Sequence, residues 1–198
     1  MTEKRISRFI EVVNARQKGL TVVLENVYDA HNVSAVLRSA ESVGIDKIYL
    51  IYNIEKYPRI SKVSSASANK WVDVEKFSSV KECYKKLRNE KFKIYTTHMC
   101  DKVKKNVSLY SLDLTKSSAL VFGNEHRGLS DEALALADKN FLIPMKGLIQ
   151  SLNISVSVAV TLFEAMRQRE LKGMYDKSKY TKAELKSKLE YYLSKSKR

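Results

Sequence analysis

The chain reads as an α/β protein with a mostly parallel sheet and helices on both faces. Three observations carry that reading. Short apolar runs alternate with segments of helical periodicity along the whole length. Several runs, such as Leu20 to Leu24 and Ala119 to Phe122, are nearly continuous in apolar residues rather than alternating. A strand wetted on one face alternates, whereas one covered on both faces does not. Finally, only Pro58, Pro144 and six glycines punctuate the 198 residues, with no repeat, low-complexity block or proline-rich linker to mark a domain boundary. That length suits one domain with a sizeable core.

In order, Arg5 to Gln17 predicts a basic helix and Leu20 to Leu24 a short buried strand. Val33, Val36, Leu37, Ala40 and Val43 then recur at helical spacing up to Gly44. Ile48 to Ile51 and Trp71 to Val74 read as strands. Ser79 and Glu82 have capping-box spacing at the start of a helix running to about Glu90. Ile94 to Thr97 and Ala119 to Phe122 are further strands, Ser130 is placed to cap a helix, and Phe141 to Ile143 is the last strand. Thr181 with Glu184 forms a second capping box, opening a terminal helix with Leu185, Leu189, Tyr192 and Leu193 on one side.

Composition removes several classes. The longest apolar stretch, Ile154 to Met166, is broken by Ser155, Ser157, Thr161 and Glu164, and no signal peptide is visible. A soluble, cytoplasmic protein is expected, with no membrane partner. Cys83 and Cys100 make no C-x-x-C pair, and His31, His98 and His126 form no ligand-spaced cluster, so neither disulfides nor a metal is expected. Net charge is +14, of which residues 1–19 hold +3 and residues 172–198 hold +6. Basic ends suggest a polyanionic partner, most simply nucleic acid. On charge alone, a solubilising lysine-rich surface is the stronger reading.

On a parallel sheet, ligands bind beyond the carboxyl ends of the strands. Those ends are Thr97-His98, Gly123-Asn124-Glu125 and Pro144 onward, so three segments converge on one edge. The last of them, IPMKGLIQSLNISVSVAV (143–160), sets Gln150, Ser151, Asn153 and Ser155 where an apolar helix begins. Such a start gathers hydroxyls, amides and free backbone N–H groups at one point. Other ligand motifs are missing. No glycine follows Leu24 as a dinucleotide fingerprint requires, and Leu129 stands where a P-loop needs lysine. No serine lies in a G-x-S-x-G elbow, so nothing supports hydrolysis.

Three segments remain: ENVYDAHNVSAVLRSAESVG (25–44), LVFGNEHRGLS (120–130) and IPMKGLIQSLNISVSVAV. In this order they resemble the three motifs of the SPOUT superfamily of RNA methyltransferases, and within it the TrmH type, which acts on tRNA. The likeness extends to VSSASANKWV (63–72), Thr97-His98, EALALAD (132–138) and FEAMRQRELKGMYD (163–176). It implies a C-terminal trefoil knot, an exception to the usual rule against knots. It also implies S-adenosylmethionine as methyl donor, a homodimer, and methylation of the ribose 2′-OH of guanosine-18 in the tRNA D-loop. The layout it implies is a basic helical extension over 1–19, the knotted methyltransferase domain over 20–171 and a second basic helical extension over 172–198. Alternatives are 2′-O-methylation of another tRNA or ribosomal RNA nucleotide, and a non-catalytic RNA-binding protein on the same scaffold. His126-Arg127 and Ser64-Ser65-Ala66 depart from the family's usual pattern.

On periodicity alone Arg38 is a solvated arginine near Glu41, on a face shared with Ser34 and Ser42. The resemblance makes it the catalytic arginine. Because a guanidinium stays protonated, it suits orienting a hydroxyl or phosphate and stabilising a developing alkoxide. Asn32 reads locally as a helix N-cap, and Ser151 and Asn153 likewise. The resemblance adds all three, with Glu125, to the catalytic site, where Glu125 is expected to pair with Arg38 or contact the donor. For the donor it implies Thr97, Gly123, Asn124, Ile143, Met145, Ser151 and Leu152. His98 matches loosely and reads as structural. Lys4, Arg5, Arg8, Arg16, Lys172, Lys177, Lys179 and Lys182 are the expected tRNA backbone contacts. Tyr175 and Tyr180 suit either stacking on bases or packing the tail helix, and packing is the stronger reading.

Overall fold

The computed structural model describes residues 2–58, 67–99 and 106–196. The strands are β1 (Leu20–Glu25), β2 (Lys47–Ile51), β3 (Asp73–Phe77), β4 (Lys93–Thr97), β5 (Asn106–Ser108), β6 (Ser118–Phe122) and β7 (Lys139–Leu142). The helices are α1 (Glu3–Ala15), α2 (Ala30–Ser42), α3 (Val80–Asn89), α4 (Asp131–Leu136), α5 (Ile154–Leu171) and α6 (Lys182–Lys195). The strands form one seven-stranded sheet in the order β3-β2-β1-β6-β4-β7-β5, and every pair of neighbours runs parallel.

The continuous apolar runs are explained by cover on both faces. From β1, Leu20, Val22 and Leu24 enter one core with Val33, Val36, Leu37 and Ala40 of α2 and Val158, Leu162 and Ala165 of α5. Val23 points to the opposite core with Tyr49 and Ile51 of β2, Val80, Cys83, Tyr84 and Leu87 of α3, and Ala133 of α4. Burying such side chains stabilises by roughly 1.5–3 kcal/mol each relative to exposure.

Some local expectations shift. The strand expected at Trp71 to Val74 starts at Asp73, because a 3-10 turn over Ala68–Lys70 carries the chain through Trp71, whose N–H donates to Ala68 O at 2.9 Å. β5, the three residues Asn-Val-Ser, has no apolar pattern and becomes a strand only by pairing with β7. The first capping box is half made: the Glu82 N–H donates to Ser79 Oγ, but the Glu82 carboxylate accepts from Ser78 Oγ instead. The second, Thr181 with Glu184, is complete. Residues 63–66 of the segment VSSASANKWV, and Cys100, lie outside the described residues.

The two ends of the chain meet. α1 packs on α6, and Phe9, Trp71 and Tyr192 form an aromatic cluster with centroids 5.3–6.3 Å apart. Arg16, expected to contact RNA, is instead only 1% exposed beside this cluster. Its Nη1 donates to Ile45 O at 2.9 Å, its Nη2 to Glu41 Oε1 at 3.1 Å, and its guanidinium lies 5.4 Å from the Tyr192 ring. A guanidinium so paired is part of the core and is closed to a phosphate. Tyr175 and Tyr180 pack as expected, donating to Val43 O and to Asp46 Oδ2.

Candidate active site

A cavity of about 570 Å³ opens beyond the carboxyl ends of β4, β6 and β7. Thr97, Gly123, Asn124, Ile143, Met145, Ser151 and Leu152, the whole set expected around the donor, line it, together with Glu125 and Asn153. Its size is in the range of small-ligand sites. Gln150, from the polar start of α5, lines it as well. So do Phe122, Leu142 and Ser157, which were not expected at a site; strand-end and helix-turn positions reach the cavity only through the sheet order.

The loop after β6 is the tightest part of the wall. Asn124 and Gly128 exchange two backbone hydrogen bonds of 2.9 Å, closing the chain on itself. A Cβ on Gly123 would fall 2.2 Å from the Gly128 carbonyl carbon, so only glycine fits. The Asn124 side chain locks the turn: Oδ1 accepts from His126 N and Arg127 N, and Nδ2 donates to Asn26 O at 2.7 Å. Glu125 is thereby projected toward the start of α2.

There a chain of hydrogen bonds joins all three motifs. Glu125 Oε2 accepts from Tyr28 N at 2.9 Å, and Oε1 accepts from Asp29 N and from Asn32 Nδ2 at 2.8 Å. Asn32 Oδ1 accepts from Asn153 Nδ2 at 3.2 Å. Asn153 caps α5, its Oδ1 accepting from Ser155 N and Ser155 Oγ. Asn32 itself is not a cap, because Asp29 caps α2. Partial burial opposes ionisation of Glu125, yet the hydrogen bonds from Asn32, Tyr28 and Asp29 outweigh it and hold the carboxyl below its usual range. Glu125 therefore stays ionised, with both oxygens occupied.

Arg38 is exposed on α2, and among the described residues it has no hydrogen bond or ion pair. The expected pairing with Glu125 is not formed, since Asn32 takes that carboxylate, and Glu41 pairs with Arg16. Ser34, expected on the same open face, is fully buried, its Oγ without a partner among the described residues; α2 is covered more broadly than its apolar stripe because α5 and the Ala68–Lys70 turn both pack on it. Ser151 lies exposed at the cavity. His98 lines the cavity too, and its buried Nδ1 has no partner among the described residues.

A second cleft, of about 860 Å³, was not anticipated. It lies beyond the ends of β1 and β2 and shares Glu125 and His126 with the first. Its walls include Tyr28, Asp29, Asn32, Ile54, Glu55 and Tyr57. Asn26, at φ +51°, builds one wall: its Oδ1 accepts from the N–H groups of Asn53, Ile54 and Glu55 at 3.1–3.2 Å. Asparagine tolerates that left-handed backbone, a signal present in the sequence but not distinctive there.

Of the expected RNA contacts, Lys4, Arg5 and Arg8 are exposed on α1, and Lys172, Lys177, Lys179 and Lys182 are exposed beyond α5. No group of three or more histidine, cysteine, aspartate or glutamate side chains placed to hold a metal occurs among the described residues, and no helix among them is long and apolar enough to cross a membrane.

Comparison with known proteins gives the following. The model of the SpoU rRNA methylase family matches residues 19–163. The tRNA (guanosine(18)-2′-O)-methyltransferase of Thermus thermophilus is 41% identical over 176 residues, 89% of this chain and 89% of that protein. The protein of the same name from Aquifex aeolicus is 38% identical over 183 residues, 92% of this chain and 85% of that one. The crystal structure of the A. aeolicus TrmH/SpoU tRNA modifying enzyme superposes with a TM-score of 0.88, covering 98% of this chain and 97% of that one at 36% identity.

Proposed function

The chain belongs to the SpoU rRNA methylase family, and we propose that it methylates the ribose 2′-OH of guanosine-18 in the tRNA D-loop, with S-adenosylmethionine as donor. The observation that carries the reading is the hydrogen-bonded chain Glu125–Asn32–Asn153, which unites the three motifs at the rim of the 570 Å³ cavity. Substantial identity to two proteins named for this reaction supports the choice of target.

The cavity suits the donor. Gly123, Ile143, Met145 and Leu152 bring backbone and apolar walls from separate segments at the sheet edge, as a ligand with an adenine ring and an aliphatic chain requires. His98 adds a buried nitrogen without a partner among the described residues. The donor supplies a sulfonium methyl that is already activated, so the protein's task is to position the 2′-oxygen and manage its charge.

Asn32 and Asn153 hold the hydroxyl's surroundings at the cavity rim. Glu125, ionised and engaged at both oxygens, fixes the start of α2 rather than taking a proton. Arg38, free of internal partners among the described residues, offers permanent positive charge to the developing oxyanion. Ser151 lines the same cavity as a further hydroxyl contact. Lys4, Arg5, Arg8, Lys172, Lys177, Lys179 and Lys182 hold the tRNA backbone, which supplies affinity without sequence readout.

The reading extends to the assembly. The domain over 20–171 is a trefoil-knotted unit, flanked by basic helical extensions over 1–19 and 172–198. It works as a homodimer in the cytoplasm, where its substrate is made. The test is methyl incorporation from labelled S-adenosylmethionine into unmodified tRNA, with the modified nucleotide mapped. 2′-O-methylguanosine in the D-loop supports the reading; methylation elsewhere moves the target; no incorporation, with donor still bound, leaves an RNA-binding protein.

A further inference from the structure

The cleft beyond β1 and β2 has no part in holding the donor, yet it meets the donor cavity at Glu125 and His126. A nucleotide whose 2′-oxygen lies at that junction must put its base somewhere nearby, because the base hangs from the carbon adjacent to the one bearing the hydroxyl. The donor cavity is on one side of Glu125, and the cleft is the recess on the other.

The cleft is built for a flat, polar-edged ligand. Tyr28 is 68% exposed, and its side chain makes no hydrogen bond among the described residues. Its backbone is nonetheless pinned by the 2.9 Å bond from Tyr28 N to Glu125. Ile54, also 68% exposed, stands on the wall that Asn26 organises through three backbone bonds. Exposed apolar surface on a backbone held this firmly is a preorganised stacking platform. Beside it, Glu55 Oε1 accepts from Arg127 Nη2 at 2.6 Å, while Oε2 has no partner among the described residues. Arg127 lines the donor cavity and Glu55 the cleft, so this pair bridges the two recesses.

We propose that this cleft is the subsite for the acceptor base, with Tyr28 stacking on an unstacked guanine and Glu55 reading its edge. A carboxylate only accepts hydrogen bonds. Guanine presents adjacent N1–H and N2–H donors, whereas adenine presents an unprotonated N1 that the same carboxylate repels. Base selection thus comes from a negatively charged side chain, in a protein whose other RNA contacts are basic. Lys56, on the same wall, is placed for the flanking phosphate.

This inference rests on the methyltransferase reading, and the test separates the two. Unmodified tRNA transcripts carrying guanosine or adenosine at the acceptor position are compared for kcat/KM, with donor affinity measured by calorimetry. Tyr28→Ala is expected to lower kcat/KM on the guanosine transcript roughly ten- to hundredfold, the effect of losing one stacked base. Donor affinity stays unchanged, and Tyr28→Phe retains activity within about threefold, since stacking needs the ring and not the hydroxyl. Glu55→Gln is expected to shrink the preference for guanosine over adenosine at least about tenfold, the penalty for mispairing one buried polar contact being of that order. If Tyr28→Ala stays within twofold of wild type, or Glu55→Gln keeps the full preference, the subsite is not here. If the wild-type protein modifies no tRNA, the enzymatic reading fails and takes this one with it. Tyr28 is exposed and Glu55 is partly so, hence thermal unfolding of the variants should match wild type. A large loss of stability would overturn the premise that they are free for ligand.

Discussion

Asn32 Nδ2 donates to Glu125 Oε1 at 2.8 Å, across 93 positions of sequence, and the same asparagine accepts from Asn153. One amide therefore joins the segments after β1, β6 and β7 into a single site.

Asn32→Ala removes both bonds at once. Methyl transfer is expected to fall by two orders of magnitude or more, as about 1 Å of misplacement does in oriented reactions. Donor affinity should change only a few-fold, because Asn32 does not line the 570 Å³ cavity proposed for the donor. Single-turnover rates with calorimetric donor binding check this; parallel loss of both would assign Asn32 to the donor pocket.

Arg38→Ala should leave donor affinity and unfolding temperature near wild type, since the side chain is exposed and without internal partners among the described residues. Methyl transfer should drop by roughly 10²–10³, the cost of removing one donor to a developing oxyanion. An equal fall in donor binding would make its role structural.

Arg16→Ala tests the corrected assignment. Removing one partner of a buried pair costs about 3–5 kcal/mol. Part exposure of Glu41 places the expected loss toward the low end. Urea unfolding should show it, while the salt dependence of tRNA binding stays as in wild type. A flatter salt slope with unchanged stability would return Arg16 to the RNA surface.

Replacing Lys172, Lys177, Lys179 and Lys182 together with glutamine keeps α6 and its packing, which truncation would not. The slope of log affinity against log salt should flatten by roughly 3, at about 0.7–0.9 for each phosphate no longer neutralised. An unchanged slope would place the tRNA elsewhere.

Glu184 supplies a pH dependence. A hydrogen bond from Lys18, the Thr181 N–H and the charge of Lys18 lower its pKa from 4.5 to about 2. A carboxyl depressed on folding stabilises above its unfolded pKa and loses that contribution as pH falls through the folded one. Wild type should therefore lose stability relative to Glu184→Gln between about pH 4.5 and pH 2, where the gap closes. The ion pair is half exposed, so added salt should shrink the effect. Unfolding temperatures measured across that window for both proteins decide it; parallel curves would exclude the linkage.

What the residue order determined by itself is local. Continuous apolar runs announced a sheet covered on both faces, Thr181 with Glu184 announced a helix start, and the motif segments announced residues that line one cavity. Each depends on neighbours within a turn or a strand, or on a pattern written contiguously. The tertiary structure decided everything that depends on which strands lie side by side. β5 exists because β7 pairs with it; Arg16 is core because α1 folds back on α6; Ser34 is buried because α5 and a 3-10 turn both pack on α2. Likewise, Tyr28 and Glu55 come to share a cleft only because β1 and β2 are neighbours and Asn26 reaches from one strand end to the loop of the other. Charge and periodicity describe a residue's own segment, whereas burial and pairing belong to two segments at once, and the sheet order chooses those two.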